Sequence, residues 1–331
     1  MGSKFGITPC FMAKPREGLP GNSGHMHVSI VDKSGKNLFY RGKKDNNPPY
    51  PDLANLSDMG RHFLAGLLDG LPDVMPIVAP TVNSYKRLVE NFWAPVTVSW
   101  GLEHRAASIR LIAPPTSSPK ATRFEVRVAG ADANPFLVLA AILSLGWRGV
   151  EKKMEIKVPP LGKGQDVGGS ADKGVRLAKS LKEATATMMR EGSVAREVFG
   201  DEFVEHFGGT REHEIRLWDE AVTDWYVLYP RDDFGLTKTI GKSSDILRQS
   251  KYAKQLRFEC KHVYIASAVV LGHFVRLFAD LCRCPLELWP QSLVHHSISQ
   301  LLVLRIGLLA LSACSWERTI IEITYCYSTV R

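Results

Sequence analysis

Strict alternation of polar and apolar residues predicts a β-strand over residues 24–30. His25, His27 and Ser29 fall on one face of this strand, and methionine, valine and isoleucine fall on the other. The residues just before it read Gly-Asn-Ser-Gly, a flexible loop whose backbone amides can approach an anionic ligand closely. We therefore expect one face to be buried in a core and the other to present imidazole and hydroxyl groups.

A second alternating segment predicts a strand over residues 123–128. Its polar face carries Arg123, Glu125 and Arg127, and its apolar face carries phenylalanine and two valines. A third strand is predicted over residues 107–112, followed by a Pro-Pro pair typical of a loop.

Amphipathic patterns with plausible caps predict four helices. Asn134 followed by Pro135 is a good helix start, with an N-cap and a proline in the first turn. Two glycines in the helix that follows weaken it but leave its apolar face intact. The predicted helices are Asp58–Leu71, Phe136–Lys153, Leu181–Glu191 and Thr210–Trp225. This mixture of strands and helices predicts an α+β or α/β domain over residues 1–225.

Residues 226–331 differ in character from the rest, with scattered cysteines and little clean periodicity. Of the formal net charge of +8, this tail contributes +5 and the first 225 residues about +3. No block of Lys and Arg interleaved with aromatics occurs in the first 225 residues, which argues against a nucleic-acid partner. The tail is either an extra helical domain or the product of a changed reading frame or read-through, and composition favours the second.

Cysteine content and hydropathy predict a cytoplasmic protein without a membrane partner. Five of the six cysteines lie in the tail, and the N-terminus shows no secretory signal. The most apolar run, Leu301–Cys314, is shorter than a membrane span and is interrupted by Arg305.

Three groups of residues could carry chemistry, and each also has a plainer interpretation. The imidazoles of His25 and His27 could bind a metal or a phosphate, or simply line a half-solvated strand. Glu125 between Arg123 and Arg127 could be a metal-binding carboxylate flanked by cations, or a surface ladder of ion pairs.

The third group is basic and surrounds the predicted strands. Several fixed cations are needed where charge develops during phosphoryl transfer, whereas a solvated basic patch is the plainer alternative. Its members are Lys86, Arg87, Arg105, Arg110 and Lys120, of which the first two lie in the sequence Asn83-Ser84-Tyr85-Lys86-Arg87.

Taken together and in order, these motifs resemble those of the glutamine synthetase family (a type I-like catalytic domain). The resemblance covers roughly residues 5–225. The matching segments are Gly21–Ile30, Asn83–Val89, Ala94–Pro95, Arg105–Arg110, Pro119–Arg127, Ala133–Phe136 and Gly209–Glu214. The resemblance implies a curved, largely antiparallel sheet with outer helices, incomplete at its N-terminal side. It also implies homo-oligomeric rings, whose assembly is doubtful for this chain.

The family uses ATP to phosphorylate the γ-carboxylate of glutamate, and ammonia then displaces the phosphate, with divalent metals organising the phosphates. By position, His25 and Glu125 match ligands of an Mg²⁺ or Mn²⁺ ion beside the ATP γ-phosphate. His27 and Ser29 match residues near the nucleotide.

The remaining matches concern the two anionic substrates. Gly21 and Arg87 match glutamate-binding positions, and Arg127 matches one that faces both glutamate and phosphate. The cations matching those around the ATP phosphates are Arg105, Arg110 and Lys120. Of all these, Arg87, Arg105 and Arg127 are the expected catalytic residues.

The chain departs from the family pattern in three respects. The family's Glu-x-Glu motif, two later metal-binding carboxylates and the small N-terminal domain have no counterpart in the sequence. Trp93 stands where the family has a glutamate that helps deprotonate ammonium; an indole cannot be that base but could shape a pocket for a larger amine. The third departure is the tail.

The resemblance therefore predicts a ligase joining ammonia or a larger amine to glutamate, with impaired activity. The alternative is a non-catalytic remnant or interaction protein that keeps the fold and ATP binding.

Overall fold

The computed structural model describes residues 2–90, 94–162 and 175–223, and the backbone of two further strands at 303–306 and 319–328. Trp93 and most of the tail lie outside the described residues, so the expectations placed on them stay predictions. Within the described part, no helix is long and apolar enough to cross a membrane.

Among the residues that the structure describes, a six-stranded sheet is the centre of the fold. Its strands are β1 (Ser23–Asp32), β2 (Trp100–Leu102), β3 (Ile109–Ile112), β4 (Arg123–Val126), β5 (Val303–Ile306) and β6 (Thr319–Ser328). They lie in the order β2-β3-β4-β1-β6-β5. Only the β2–β3 pair is parallel, and the other four pairings are antiparallel. The prediction of a largely antiparallel sheet is confirmed.

The strand register lines up polar residues from three strands. His27 on β1 lies opposite Glu125 on β4, and Glu125 lies opposite Arg110 on β3. Because directly opposed residues in an antiparallel pair lie on the same face, these side chains form one row across the sheet. The row is the foundation of the candidate site.

Aromatic packing supports the opposite face of the sheet. Phe124, one residue before Glu125, stacks on Phe63 with ring centroids 5.9 Å apart, and Phe39 contacts both rings at 4.9 and 5.0 Å. All three side chains are buried. Burying a side chain of this size stabilises the fold by roughly 2–3 kcal/mol. The buried apolar face of each alternating strand therefore holds the polar face in position.

The helices share one buried hydrophobic core with this apolar side of the sheet, and Phe63 of the first of them contacts the sheet directly. They are α1 (Asp58–Gly70), α2 (Met75–Val78), α3 (Val82–Tyr85), α4 (Pro135–Glu151), α5 (Leu181–Met189), α6 (Val194–Phe199) and α7 (Asp201–Glu220). Short 3₁₀ turns occur at Gly2–Phe5, Pro51–Leu53, Leu71–Val74 and Pro119–Ala121. The predicted start of α4 is confirmed, because the Asn134 side chain accepts a hydrogen bond from the Phe136 backbone N–H.

The last helix differs from its prediction, since α7 begins at Asp201 rather than at Thr210. The Gly208-Gly209 pair is typical of a break, yet the helix runs through it. Gly208 faces Met189, where a Cβ would collide with the sulfur, so this glycine serves close packing. Two residues of the Gly209–Glu214 motif then attach the helix to the loop before α3: Arg211 donates to the Pro80 carbonyl, and Glu214 accepts from the Val82 N–H.

Two compact units are distinguished by their internal contacts. One comprises residues 1–215 and 282–331, and it contains the sheet. The other comprises residues 216–281, of which the structure describes 216–223. The predicted boundary at residue 225 falls outside the described part and stays a prediction.

Candidate active site

Glu125 is the centre of the polar row. Its Oε1 atom accepts hydrogen bonds from His25 Nδ1 at 2.9 Å and from Arg127 Nη1 at 2.5 Å. Its Oε2 atom accepts from Arg110 Nη1 at 2.9 Å. Glu125 is only 3% exposed and Arg127 only 8%. The plainer interpretation of this strand as a solvated surface ladder is therefore wrong.

These partners keep Glu125 ionised despite its burial. Burial by itself would raise the carboxyl pKa, but the hydrogen bond from His25 and the positive charge of Arg127 outweigh it and hold the pKa well below its usual range. A buried carboxylate held by two guanidiniums and an imidazole is stable only as a set, because removing one member leaves the others uncompensated.

His25 is held in a defined tautomer. Burial lowers its pKa, and the positive charge of Arg127 adds to this effect, although the hydrogen bond to Glu125 opposes it. The imidazole is therefore neutral near pH 7, with its Nδ1–H donated to the carboxylate. A histidine bonded to a carboxylate through one nitrogen has the lone pair of the other available for a metal. Nε2 of His25 is that atom.

The orientation of His27 is fixed by Arg123 on β4. Arg123 Nε donates to its Nδ1 at 3.0 Å, which places the proton of the neutral ring on Nε2, 4.0 Å from Glu125 Oε1. Burial lowers the pKa of His27 to about 4. The ring is thus positioned as a neutral donor rather than as a metal ligand. Ser29 continues the same face of β1 and is half-buried.

Arg110 joins Glu125 to a second carboxylate that the sequence patterns did not single out. Its Nε donates to Glu103 Oε2 at 2.9 Å, and Thr116 donates to the other oxygen of Glu103 at 2.8 Å. Glu103 has a positive φ of 56°, a conformation uncommon for a residue with a Cβ. The sequence offered one signal for Glu103, which lies two residues before the matching segment Arg105–Arg110.

Arg127 has an unused donor in this cluster. Its Nη1 atom binds Glu125, but its Nε–H is buried and has no hydrogen-bond partner within the part of the chain described. A buried donor without an acceptor costs about 1–3 kcal/mol. An anionic group of a ligand would satisfy it, which makes this nitrogen a marker for a carboxylate or phosphate.

Arg87 lies beneath the site rather than in the row. It is buried and donates to the carbonyl oxygens of Val128 at 2.9 Å and Arg127 at 3.0 Å. Burial lowers the pKa of its guanidinium to about 10. Gly21 packs on it, since a Cβ there would lie 2.8 Å from the Arg87 Cγ. In this structure Arg87 therefore holds the backbone of Arg127 and shows no direct bond to Glu125.

The other predicted phosphate-binding cations lie at the edge of the site. Arg105 is exposed. Burial is the main cause of the lowered pKa of Arg127, and the positive charges of Arg110 and Arg105 add to this effect. Lys120 is exposed on a 3₁₀ turn ahead of β4.

The polar residues just before Arg87 have structural roles. Asn83 exchanges two hydrogen bonds with the backbone of Lys14, and Ser84 donates to Asp132 at 2.7 Å. The segment Asn83–Arg87 is therefore not simply a solvated basic patch, because its polar residues also hold the fold together.

His25 and Glu125 offer donor types that a divalent cation accepts, but the 2.9 Å hydrogen bond from His25 Nδ1 to Glu125 Oε1 turns Nε2 away from this carboxylate. Within the described part of the chain, Glu125 Oε2 accepts one hydrogen bond and so retains a lone pair, and His25 offers the lone pair of Nε2. Across the described ranges, no group of three or more His, Cys, Asp or Glu side chains is arranged to hold a metal. A cation bound by both side chains would have to replace this hydrogen bond, and it would take its remaining ligands from water or phosphate oxygens, as Mg²⁺ commonly does.

The depressed pKa of His27 predicts a pH-dependent stability. Between pH 6.5 and about 4, the unfolded chain protonates His27 but the folded chain does not, so stability falls as the pH falls through this window. Near pH 5 the protonation of His27 on unfolding contributes about one proton, so the slope of the unfolding free energy against pH should be smaller by about 1.4 kcal/mol per pH unit in a His27→Gln variant. Urea unfolding at several pH values measures the slope, and an unchanged slope would show that the ring is not kept neutral.

Comparison with known proteins shows which family the chain is similar to. The sequence model of the glutamine synthetase catalytic domain matches residues 1–229. The chain is 42% identical over 226 residues to the type-1 glutamine synthetase 2 of Dictyostelium discoideum, covering 66% of this chain and 40% of that protein. It is 40% identical over 223 residues to the glutamate–isopropylamine ligase of a Pseudomonas species, covering 67% of this chain and 46% of that protein.

A third relative is the γ-glutamylethanolamide synthetase GlnA4 of Streptomyces coelicolor, 35% identical over 220 residues, with 66% of this chain and 43% of the relative covered. Among solved structures, ligand-free GmaS matches with a TM-score of 0.56 and 29% identity, over 69% of this chain and 49% of that one. The chain thus spans less than half the length of these proteins. Its match to the catalytic-domain model over more than half of its residues shows that it belongs to the glutamine synthetase family.

Proposed function

We propose that this chain carries part of the active site of an ATP-dependent ligase that joins ammonia or a larger amine to the γ-carboxylate of glutamate. The observation that carries the proposal is the buried cluster around Glu125, in which Arg127 keeps an unpaired Nε–H for an anionic ligand. Arg105, Arg110, Arg123 and Arg127 outnumber the carboxylates Glu103 and Glu125 in and around the row. This excess of positive charge favours binding of ATP phosphates and a dicarboxylate.

His25 and Glu125 are the proposed ligands of an Mg²⁺ or Mn²⁺ ion. When bound, such an ion neutralises phosphate charge and orients the phosphate for transfer. His27 and Ser29 extend from the metal ligands along the same strand face and are proposed to contact the nucleotide. Arg105, Arg110 and Lys120 are proposed to bind its phosphates from the other side of β4.

The proposed reaction has two steps. A γ-carboxylate oxygen of glutamate attacks the γ-phosphorus of ATP and releases ADP, giving γ-glutamyl phosphate. The amine then attacks the acyl carbon, expels phosphate and loses one proton. Arg127 is proposed to hold the carboxylate and transferred phosphoryl oxygens, whereas Arg87 and Gly21 fix the backbone on which Arg127 depends.

The acceptor amine is proposed from the relatives, whose names include glutamine, isopropylamine and ethanolamide ligases. Trp93 is proposed to favour an amine larger than ammonia. A second candidate function is ATP binding without turnover, which the small metal donor set of the described residues favours. Cytoplasmic location and ring assembly also remain predictions.

The proposal is tested by γ-glutamyl product formation in the purified chain. The assay contains glutamate, Mg-ATP or Mn-ATP, and one of ammonium, hydroxylamine, isopropylamine or ethanolamine. We expect slow product formation that falls at least tenfold in His25→Ala and Glu125→Ala. His206→Ala, an exposed histidine of α7, is the matched control and should keep full activity.

Nucleotide binding separates the two candidate functions. Product that disappears in the two site variants supports the ligase. ATP binding by calorimetry in a folded chain, without product from any amine, supports the non-catalytic alternative. If neither product nor ATP binding is detected, the site assignment itself is wrong.

A further inference from the structure

The strand that carries His25 and His27 has a long pairing partner in the tail. Every residue of β1, from Ser23 to Asp32, has an antiparallel partner on β6, from Ser328 to Thr319. Its other neighbour, β4, pairs with only three β1 residues. Most interstrand pairing of the histidine-bearing strand is therefore supplied by a segment about 300 residues away in sequence.

The β6 sequence is well suited to this position. It reads Thr-Ile-Ile-Glu-Ile-Thr-Tyr-Cys-Tyr-Ser, which is rich in the β-branched and aromatic residues that strands prefer and carries a single charge. A segment of this kind aggregates readily when left unpaired, and a ten-residue edge such as that of β1 templates unwanted pairing. Pairing the two within one chain removes both hazards.

We propose that the β1 edge is a strand-docking surface whose occupant is residues 319–328 of the same chain. The pairing is the intramolecular form of β-strand addition, in which main-chain hydrogen bonds supply most of the affinity. β5 lengthens the docked ribbon by pairing with β6 over residues 303–306. The tail is then a working part of the site-bearing sheet, because it restrains the strand on which the two histidines lie. This inference does not depend on catalysis.

A disulfide trap tests both the docking and its register. Cys326 lies directly opposite His25 in the antiparallel pairing. Opposed residues in such a pair have Cβ atoms about 4.5–5.5 Å apart, which suits a disulfide after modest adjustment. The full chain with His25→Cys should therefore form an intramolecular 25–326 disulfide under mild oxidation, identified by peptide mass spectrometry.

Ser29→Cys is the matched control on the same face of β1. Its partner on β6 is Glu322, four residues from Cys326, or about 13 Å along the strand. We expect at least tenfold less cross-link to Cys326 than from His25→Cys, and none when Cys326→Ser is combined with His25→Cys. Equal cross-linking from both positions, or none from His25→Cys, would overturn the proposal.

Non-reducing gels identify the source of the strand. A cross-linked monomer supports docking within one chain. A cross-linked dimer means that the edge accepts the strand of a second copy, which contradicts the proposed occupant.

Hydrogen exchange provides an independent readout in the otherwise native chain. Thr324→Pro removes a backbone N–H from the middle of β6, and we expect amides of residues 23–32 to exchange about tenfold faster or more. The peptide spanning α4 should keep its protection, which shows that the domain is still folded. Unchanged exchange in β1, with α4 protected, would contradict the docking.

Discussion

Glu125→Gln is expected to lower the free energy of unfolding by about 3–5 kcal/mol, because it leaves buried cationic groups without their counter-charge. Arg110 and Arg127 both bind the carboxylate directly, and His25 donates its Nδ1–H to it. Glutamine keeps the size of the side chain and offers one carbonyl oxygen, so packing changes little. The loss in unfolding free energy therefore reports how much the negative charge and its hydrogen bonds stabilise the fold. Urea unfolding followed by circular dichroism measures it.

Glu197→Gln is the matched control for this substitution. Glu197 also binds two cations, Arg148 and Lys152, but its side chain is 41% exposed. Ion pairs in contact with solvent contribute about 0–1 kcal/mol, so this variant should lose no more than that. Similar losses in the two variants would show that the Glu125 cluster is not a buried, mutually dependent set.

The same Glu125 variant should also lose divalent-metal affinity. A neutral amide oxygen is a weaker ligand for Mg²⁺ or Mn²⁺ than a carboxylate, and the altered site would no longer offset the charge of two guanidiniums. Calorimetric titration of Mn²⁺ into the wild-type and variant chains measures this. Unchanged affinity in a folded Glu125→Gln protein would place the metal elsewhere.

Local pattern is enough to predict the faces of the site strands, but not how the strands meet. Alternation places His25 and His27 on one face of their strand and Glu125 on the polar face of another, because side-chain direction follows from the strand period alone. That His27 lies opposite Glu125, and Glu125 opposite Arg110, depends on pairing between distant segments. The family resemblance supplies that grouping, and no periodicity within one strand could do so.

The residues that pattern misses have partners distant in sequence. The sequence groups Arg87 with other cations, yet its bonds go to backbone carbonyls 40 and 41 residues away. The tail differs from the domain in composition, whereas two of its strands extend the sheet.

Glycines in the helices escape prediction for the same reason. Helix propensity treats those after Asn134 only as weak points, because propensity describes an isolated helix. In the structure, Gly149 of α4 lies against Gly66 of α1. A Cβ on Gly149 would be 2.7 Å from the Gly66 backbone nitrogen and closer still to the His62 carbonyl oxygen. These glycines let the two helix backbones touch.

Gly149→Ala is therefore expected to destabilise the domain by about 3 kcal/mol, although alanine is the better helix former. Backbone atoms cannot rotate away as a side chain can, so the helices must separate and lose contacts along their whole interface. Gly209→Ala is the matched control, because a methyl group on this helical glycine of α7 would have no described atom within 4 Å beyond its own helix backbone and chain neighbours. It should raise stability by about 0.5–1 kcal/mol through lower chain entropy in the unfolded state.

The two Gly→Ala substitutions should change the stability in opposite directions, as measured by thermal and urea unfolding. That result would establish that helix contact, and not helix propensity, explains the glycine at position 149. The consequence reaches the site, since α1 also carries Phe63, which stacks on Phe124 next to Glu125. A displaced α1 should disturb β4, so the surviving folded Gly149→Ala protein is expected to bind Mn²⁺ several-fold more weakly. Stabilisation by both substitutions would instead mean that α1 and α4 are farther apart than their glycines indicate.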